Sequence, residues 1–262
     1  MTELLHVSFA TGNFSQSAET LSQSARQFGV PAIDIYTPDS EAVKQMLAEN
    51  PWLSLNMRGA GYWLWKPYIL LDALNRVPEG SLVLYTDVAV SYLAPPQSIL
   101  GFAEGRDIVL FNNHLAEWTQ AIFTKRDCLV LLDADRPEDW QRRQLDAAYQ
   151  LYRAGPRARE FLTELREAMR DPRVLTDDAN SCGKPNLPGF RDHRHDQSIL
   201  TIMAARHGIE AFRNPSANLA DGDAASVYPK IFDHHRRRNP GFLRRQRRRL
   251  KDVVRTLIYG RP

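Results

Sequence analysis

Residues 81–90 read "SLVLYTDVAV". The short apolar run from Leu82 to Tyr85 fits a strand covered on both faces, and it ends on an aspartate. Strand and helix signals alternate on either side, which predicts an α/β fold. Upstream, Leu4–Ala10 reads as a strand turning at "TGN", followed by a helix over Ser15–Phe28 with Ser15 as N-cap. "AIDIY" at 32–36 is a second strand, and a helix spans Ser40–Glu49. Pro67 is expected at the first position of a helix that runs through "YILLDALNRV" and stops at "PEG". Downstream, "DIVLF" is a strand ending at Asn112 and Asn113. Thr124 and Asp127 fit a capping box opening a helix that runs through Leu132. "AAYQLYR" at 147–153 is a strand, and Ala158–Met169 a helix. Residues 177–194 have turn composition throughout. A helix follows in "HDQSILTIMAARHG", with Gly208 past its end, and "IEAFR" is the last strand.

With no internal repeat and no low-complexity linker, the reading is one domain over 1–235 and a tail over 236–262. Hydrophobic residues make up 43% and charged residues 25%, an ordinary globular balance. Cys128 and Cys182 belong to no CxxC or ligand-spaced cluster and read as two unpaired thiols in a reducing compartment. The first residues lack a basic region followed by an apolar one, and no window is apolar enough for a membrane span. The expected location is the cytoplasm. Charge is uneven: residues 236–255 hold ten Lys or Arg and one Asp, so in a net +3 chain the remaining residues together carry −6.

Asp87 stands where open α/β sheets bind ligands, beyond the carboxyl end of a strand. A carboxylate there can reach a metal ion that holds a diphosphate. The residue two further on is Ala89, so the paired-acid pattern is D-x-A, and a turn-forming aspartate is the competing reading. In "DHRHDQS" at 192–198, Asp196 either caps the following helix or works with Gln197 on a substrate hydroxyl or a developing charge. His193 and His195 are acid–base or metal candidates beside them. Gly12 in Thr11–Asn13 would let backbone amides approach a nucleotide. No GxGxxG and no GxxxxGK[ST] occurs, which argues against a dinucleotide fold and a P-loop ATPase.

"MRGAGYWLWKPYIL" at 57–70 places Arg58 and Lys66 around a dense aromatic run. Arg suits a bidentate grip on phosphate and Lys a point charge. In an extended segment Trp63 and Trp65 would share one face and Tyr62 and Leu64 the other. Lys66 is hard to bury without a partner.

Four segments carry a resemblance in order along most of residues 4–215: "RGAGYWLWKPYIL", "LVLYTD", "WTQAIFTKRD" and "DHRHDQSIL". Together they closely resemble bacterial and viral glycosyltransferases of the GT-A type that are associated with capsular and other surface polysaccharides. The resemblance implies a single nucleotide-binding α/β domain with a mixed, mostly parallel sheet. It implies a nucleotide-sugar donor of the UDP-sugar kind and a glycan or lipid-linked acceptor. Thr11, Gly12 and Asn13 would face the nucleotide, with Arg58, Gly61, Tyr62, Trp65, Lys66, Tyr85 and Thr86 on the donor side. Trp63 is expected as the buried wedge, and Trp65 and Lys66 as the pocket wall. Asp87, Asp196, Gln197 and His195 would be the catalytic set. A divalent metal (Mn or Mg) is implied at Asp87, with His234 or His235 as a further ligand. Relatives read D-A-G at this strand end and more distant GT-A enzymes D-x-D. Val88 and Ala89 depart from both, and one carboxylate holds a divalent ion less firmly than two.

Glycosyl transfer builds positive charge at the anomeric carbon and negative charge on the leaving diphosphate. Lys66, Arg58, Asp87 and Asp196 provide charges for both. Two other functions share these features: a degenerate GT-A domain acting as a binding module at a membrane or nucleic acid, and a nucleotidyltransferase. In the tail, Leu243, Leu250, Val253, Val254, Leu257 and Ile258 fall near one side of a helix with arginines opposite. Three readings are open for it: a helix packed on the domain, peripheral binding of 236–258 to the anionic inner face of the plasma membrane, and, less favoured, nucleic-acid binding.

Overall fold

The structure is a computed structural model that describes residues 3–216 and 228–235. The basic tail lies outside the described residues.

Strand β1 (Leu4–Phe9) is buried along its whole length, including the polar His6 and Ser8. It pairs in parallel with β2 (Ala32–Tyr36) and with β3 (Leu82–Thr86). Strand β6 (Leu145–Arg153) enters antiparallel between β3 and β5 (Ile108–Asn112), and β7 (Ala211–Phe212) closes the edge parallel to β5. The sheet order is β2-β1-β3-β6-β5-β7, a mixed and mostly parallel α/β sheet. A second sheet pairs β4 (Val90–Tyr92) with β8 (Phe232–His234) in antiparallel register, Val90 opposite His234. Neither of these short strands is evident in the sequence.

Alternation along β1 and β3 divides the core in two. Leu5, Val7, Phe9, Val83 and Tyr85 face helices Glu41–Glu49, Trp65–Arg76, Pro156–Met169 and Asp196–Arg206. Leu4, Leu82 and Leu84 face helix Ser15–Gln27 and the β4–β8 pair. On that second face His6 is fully buried, bonding Thr86 Oγ1 through Nε2 and Tyr92 Oη through Nδ1, both at 3.0 Å. Burial pushes the His6 pKa down to about 3, so the ring is neutral.

Three local expectations change. Ser15 is the first helical residue and Phe14 occupies the cap. The helix expected from Pro67 starts two residues earlier, at Trp65. Thr124 and Asp127 form no capping box: Lys125 is the N-cap of helix Arg126–Leu131. Thr124 donates instead to Gln120 Oε1, and Asp127 accepts from the backbone of Ser181 and Cys182. Both cysteines are free thiols.

No helix among the described residues is long and apolar enough to cross a membrane.

Candidate functional site

The carboxyl ends of β1, β3 and β5 and the start of antiparallel β6 meet at one edge of the sheet. The backbone N–H of Asp87 bonds Ala148 O at 3.0 Å, and Asn112 lies opposite Leu145. At this edge Lys66 Nζ donates to Asp196 Oδ2 at 2.6 Å and Ala147 O at 3.0 Å, and lies 3.4 Å from Asp87 Oδ1. Residues 130 positions apart in sequence thus form one buried charge group. Lys66 and Asp196 are buried, and the Asp87 side chain is 30% exposed. Burial works against the Lys66 charge, but Asp196 and Asp87 outweigh it and raise the ammonium pKa. Burial lifts the Asp196 carboxyl to about 6, against the pull of Lys66. Gln197, the next residue, is half-buried and donates to Gln144 Oε1 at 2.6 Å.

The aromatic run forms no extended segment. Gly59, Ala60, Gly61, Tyr62 and Trp63 all have positive φ, between 52° and 91°, so the chain makes a left-handed turn before entering the helix at Trp65. Left-handed backbone costs roughly 1–2 kcal/mol for each residue with a side chain. The glycines answer to this turn and to its packing. A Cβ on Gly59 would lie 2.5 Å from the Trp63 ring, and one on Gly61 3.1 Å from Leu53. Gly61 is therefore not free for close approach of a donor. The burial expected of Trp63 falls to Trp65 instead. Trp65 is the buried one, stacked on Phe9 at 4.3 Å with Nε1 donating to Gly59 O. Trp63 is half-buried and stacks on His195 at 5.6 Å.

His195, expected as an acid or base, is buried. Its ring is buried against Tyr62, Trp63 and His193, and Nδ1 donates to Leu175 O at 2.8 Å. Burial holds its pKa below the usual histidine value. It caps the helix that begins at Asp196, at φ 48°, so Tyr62 and Trp63 brace the start of that helix. Asp196 is thus the first helical residue, and its carboxylate is spent on Lys66 rather than on a cap. Arg58 lies 3.4 Å from Asp177 and 3.7 Å from Asp192, so its guanidinium is engaged by the 177–194 loop. Tyr85 and Thr86 are completely buried, Tyr85 bonding Asp87 and Thr86 bonding His6. Thr11 is half-buried, and Gly12 and Asn13 are exposed, at the end of β1 as expected.

Two features were missed in the sequence. Asp146, at the start of β6, accepts from Asn214 Nδ2 at 2.8 Å and from Ala148 N at 3.0 Å, which fixes its carboxylate at the same edge. Its signal was only its place one residue before the strand read from Ala147 onward. The other is the β4–β8 pair, which brings His234 opposite Val90 and the His235 N–H to Ala89 O at 3.0 Å. The histidines therefore lie beside Asp87-x-Ala89, where the metal was expected. The side chains here do not by themselves complete a divalent-metal site. Asp87 Oδ1 already takes Tyr85 and Lys66, Ala89 brings no ligand, and an ammonium stands 3.4 Å away. Among the described residues no group of three His, Cys, Asp or Glu could hold a metal ion.

No protein-family model matches the sequence, and no curated protein matches it. Among solved structures the chain is similar to the apo form of mouse xyloside xylosyltransferase 1, with 11% identity over 81% of this chain and 84% of that one, at a TM-score of 0.45. It is similar to the apo bifunctional glycosyltransferase WbbM at 13% identity and a TM-score of 0.48, covering 82% of this chain but only 39% of that one. It is also similar to the galactosyltransferase LgtC in complex with donor and acceptor sugar analogs, with 13% identity over 98% of this chain and 97% of that one, at a TM-score of 0.47.

Proposed function

We propose that the protein is a glycosyltransferase that moves a sugar from a nucleotide sugar, of the UDP-sugar kind, to a glycan or lipid-linked acceptor in surface polysaccharide synthesis, working in the cytoplasm. The observation that carries the reading is the Asp87–Lys66–Asp196 group at the carboxyl ends of the parallel strands, built from three of the motifs that resemble such enzymes. The exposed turn Thr11–Asn13 is the nucleotide-facing edge. Asp87, the most open of the three charged groups, meets the donor. Lys66 offsets negative charge as the diphosphate leaves, and ionised Asp196 offsets positive charge at the anomeric carbon. Gln197 orients a hydroxyl by hydrogen bonding. No step is assigned to a metal.

A panel of nucleotide sugars tests the proposal by thermal stabilisation and product formation. Stabilisation by UDP-sugars with sugar release supports it; neither effect with any donor removes it. Ala89 favours a second reading, a degenerate domain that binds without turnover. Saturable nucleotide-sugar binding, no product and indifference to Asp87→Ala would establish that reading. Pyrophosphate release would instead mark a nucleotidyltransferase.

A further inference from the structure

Tyr85 lies near the end of β3 and Asp87 just past it, two residues on, where their side chains meet. Its ring is fully buried and its hydroxyl donates to Asp87 Oδ1 at 2.6 Å. Lys66 Nζ approaches that same oxygen at 3.4 Å and lies 5.3 Å from the Tyr85 ring centroid. Trp65 tilts against the ring at 6.3 Å. Among the described residues, Asp87 Oδ2 accepts no hydrogen bond. One hydrogen bond and one ion pair therefore hold one oxygen of a partly exposed carboxylate and leave the other free.

We propose that Tyr85 is a positioning residue that fixes the carboxylate plane of Asp87, so that Oδ2 alone is presented to the ligand. The inference rests on Asp87 being the ligand-facing carboxylate of the proposed transferase. A carboxylate held at one oxygen loses its freedom to turn about the Cβ–Cγ bond, so its second oxygen keeps one direction. The phenol is suited to the task because it remains a donor: burial first, and then the Asp87 charge, raise its pKa well above the usual value. Tyr85 itself has no exposed surface with which to touch a donor.

The test compares Tyr85→Phe with Tyr68→Phe. Tyr68 is also buried, lies on the helix that carries Lys66, and donates to Glu49 at 2.7 Å, away from the charged group. Melting temperature, Kd for UDP and kcat for a nucleotide sugar turned over by the natural protein are measured for each. Tyr85→Phe should lower kcat about tenfold to hundredfold with Kd for UDP within about threefold, because only the direction of one oxygen changes. Tyr68→Phe should leave kcat within about twofold whatever its melting temperature. Unchanged kcat in Tyr85→Phe, or parallel losses in both variants, would overturn the inference. If no nucleotide sugar is turned over, the functional reading has failed rather than this one, and crystal structures decide. A turned Asp87 carboxylate in Tyr85→Phe supports the positioning role, and an unmoved one refutes it.

Discussion

Lys66 Nζ lies 2.6 Å from Asp196 Oδ2, a bond that ties the helix starting at Trp65 to the helix starting at Asp196. Ala147 O on β6 is a further acceptor for the same ammonium. The group therefore fixes three elements relative to one another at the sheet edge. Its chemistry and its contribution to the fold depend on one side chain.

Lys66→Met leaves the buried Asp196 without its cation. Losing one partner of a buried pair costs about 3–5 kcal/mol. The cost should be present at pH 7.5 and shrink at pH 5, where Asp196 binds a proton and the uncompensated charge disappears. Urea unfolding at both pH values measures it. An equal loss at both would show that packing, not charge, sets the effect. Lys66→Met combined with Asp196→Asn should recover part of the loss.

Asp196 makes stability and activity respond oppositely to pH. Its pKa is raised from 3.8 to about 6 on folding, so between those values the folded chain keeps a proton that the unfolded chain releases. Stability from this group therefore falls as pH rises from about 4 to about 6. Activity, which needs the ionised form, should rise through pH 6. Asp196→Asn should flatten the stability change in that window and abolish turnover. A wild-type rate profile flat from pH 5 to 7.5 would contradict the assignment.

Much of the site was legible because it follows from short-range pattern. The apolar run 82–85 ends at Asp87 in any register that buries it, and the apolar pattern after Asp196 announces its helix. What joins them was not legible, since the Lys66–Asp196 contact depends on how one helix packs on β1 and β3 and the other on β6. The left-handed turn was misread for a related reason. Alternation of Trp63 and Trp65 is a strand signal, but Gly59 and Gly61 admit a conformation in which alternation has no meaning. Strands β4 and β8 are three residues each, too short for any periodic signal, and they form only because residues 90–92 and 232–234 meet. The donor-side assignments of Tyr85, Thr86, Gly61 and Trp65 came with the resemblance, which carries no information on burial, and the structure buries all four.

The glycines separate structural from ligand-facing roles. Gly59→Ala forces a Cβ to within 2.5 Å of the Trp63 ring at φ 62°, and should cost about 1–3 kcal/mol. Gly61→Ala, at φ 91° and 3.1 Å from Leu53, should cost a similar or smaller amount. Gly12→Ala meets no atom within 4 Å and should change stability by less than about 0.5 kcal/mol. A donor at the Thr11–Asn13 turn would meet that added methyl, so Gly12→Ala should raise Kd for UDP with an unchanged melting temperature. An unaltered Kd would move the nucleotide away from this turn.

The tail is tested by flotation with anionic vesicles. A basic residue near such a surface contributes about 1 kcal/mol, so ten Lys or Arg within residues 236–255 provide ample attraction. The full chain should float, and a chain ending at residue 235 should not. Equal flotation of both would remove the membrane partner.

The central claim is that Asp87, Lys66 and Asp196 form a sugar-transfer centre. Its most direct test is release of labelled sugar from a panel of nucleotide sugars by the full chain, beside Asp87→Asn and Asp196→Asn variants matched for melting temperature. The expected result is turnover of at least one UDP-sugar that falls by about 10²-fold or more in both variants. Turnover that survives both substitutions, or a panel on which the natural chain is inert, would contradict it.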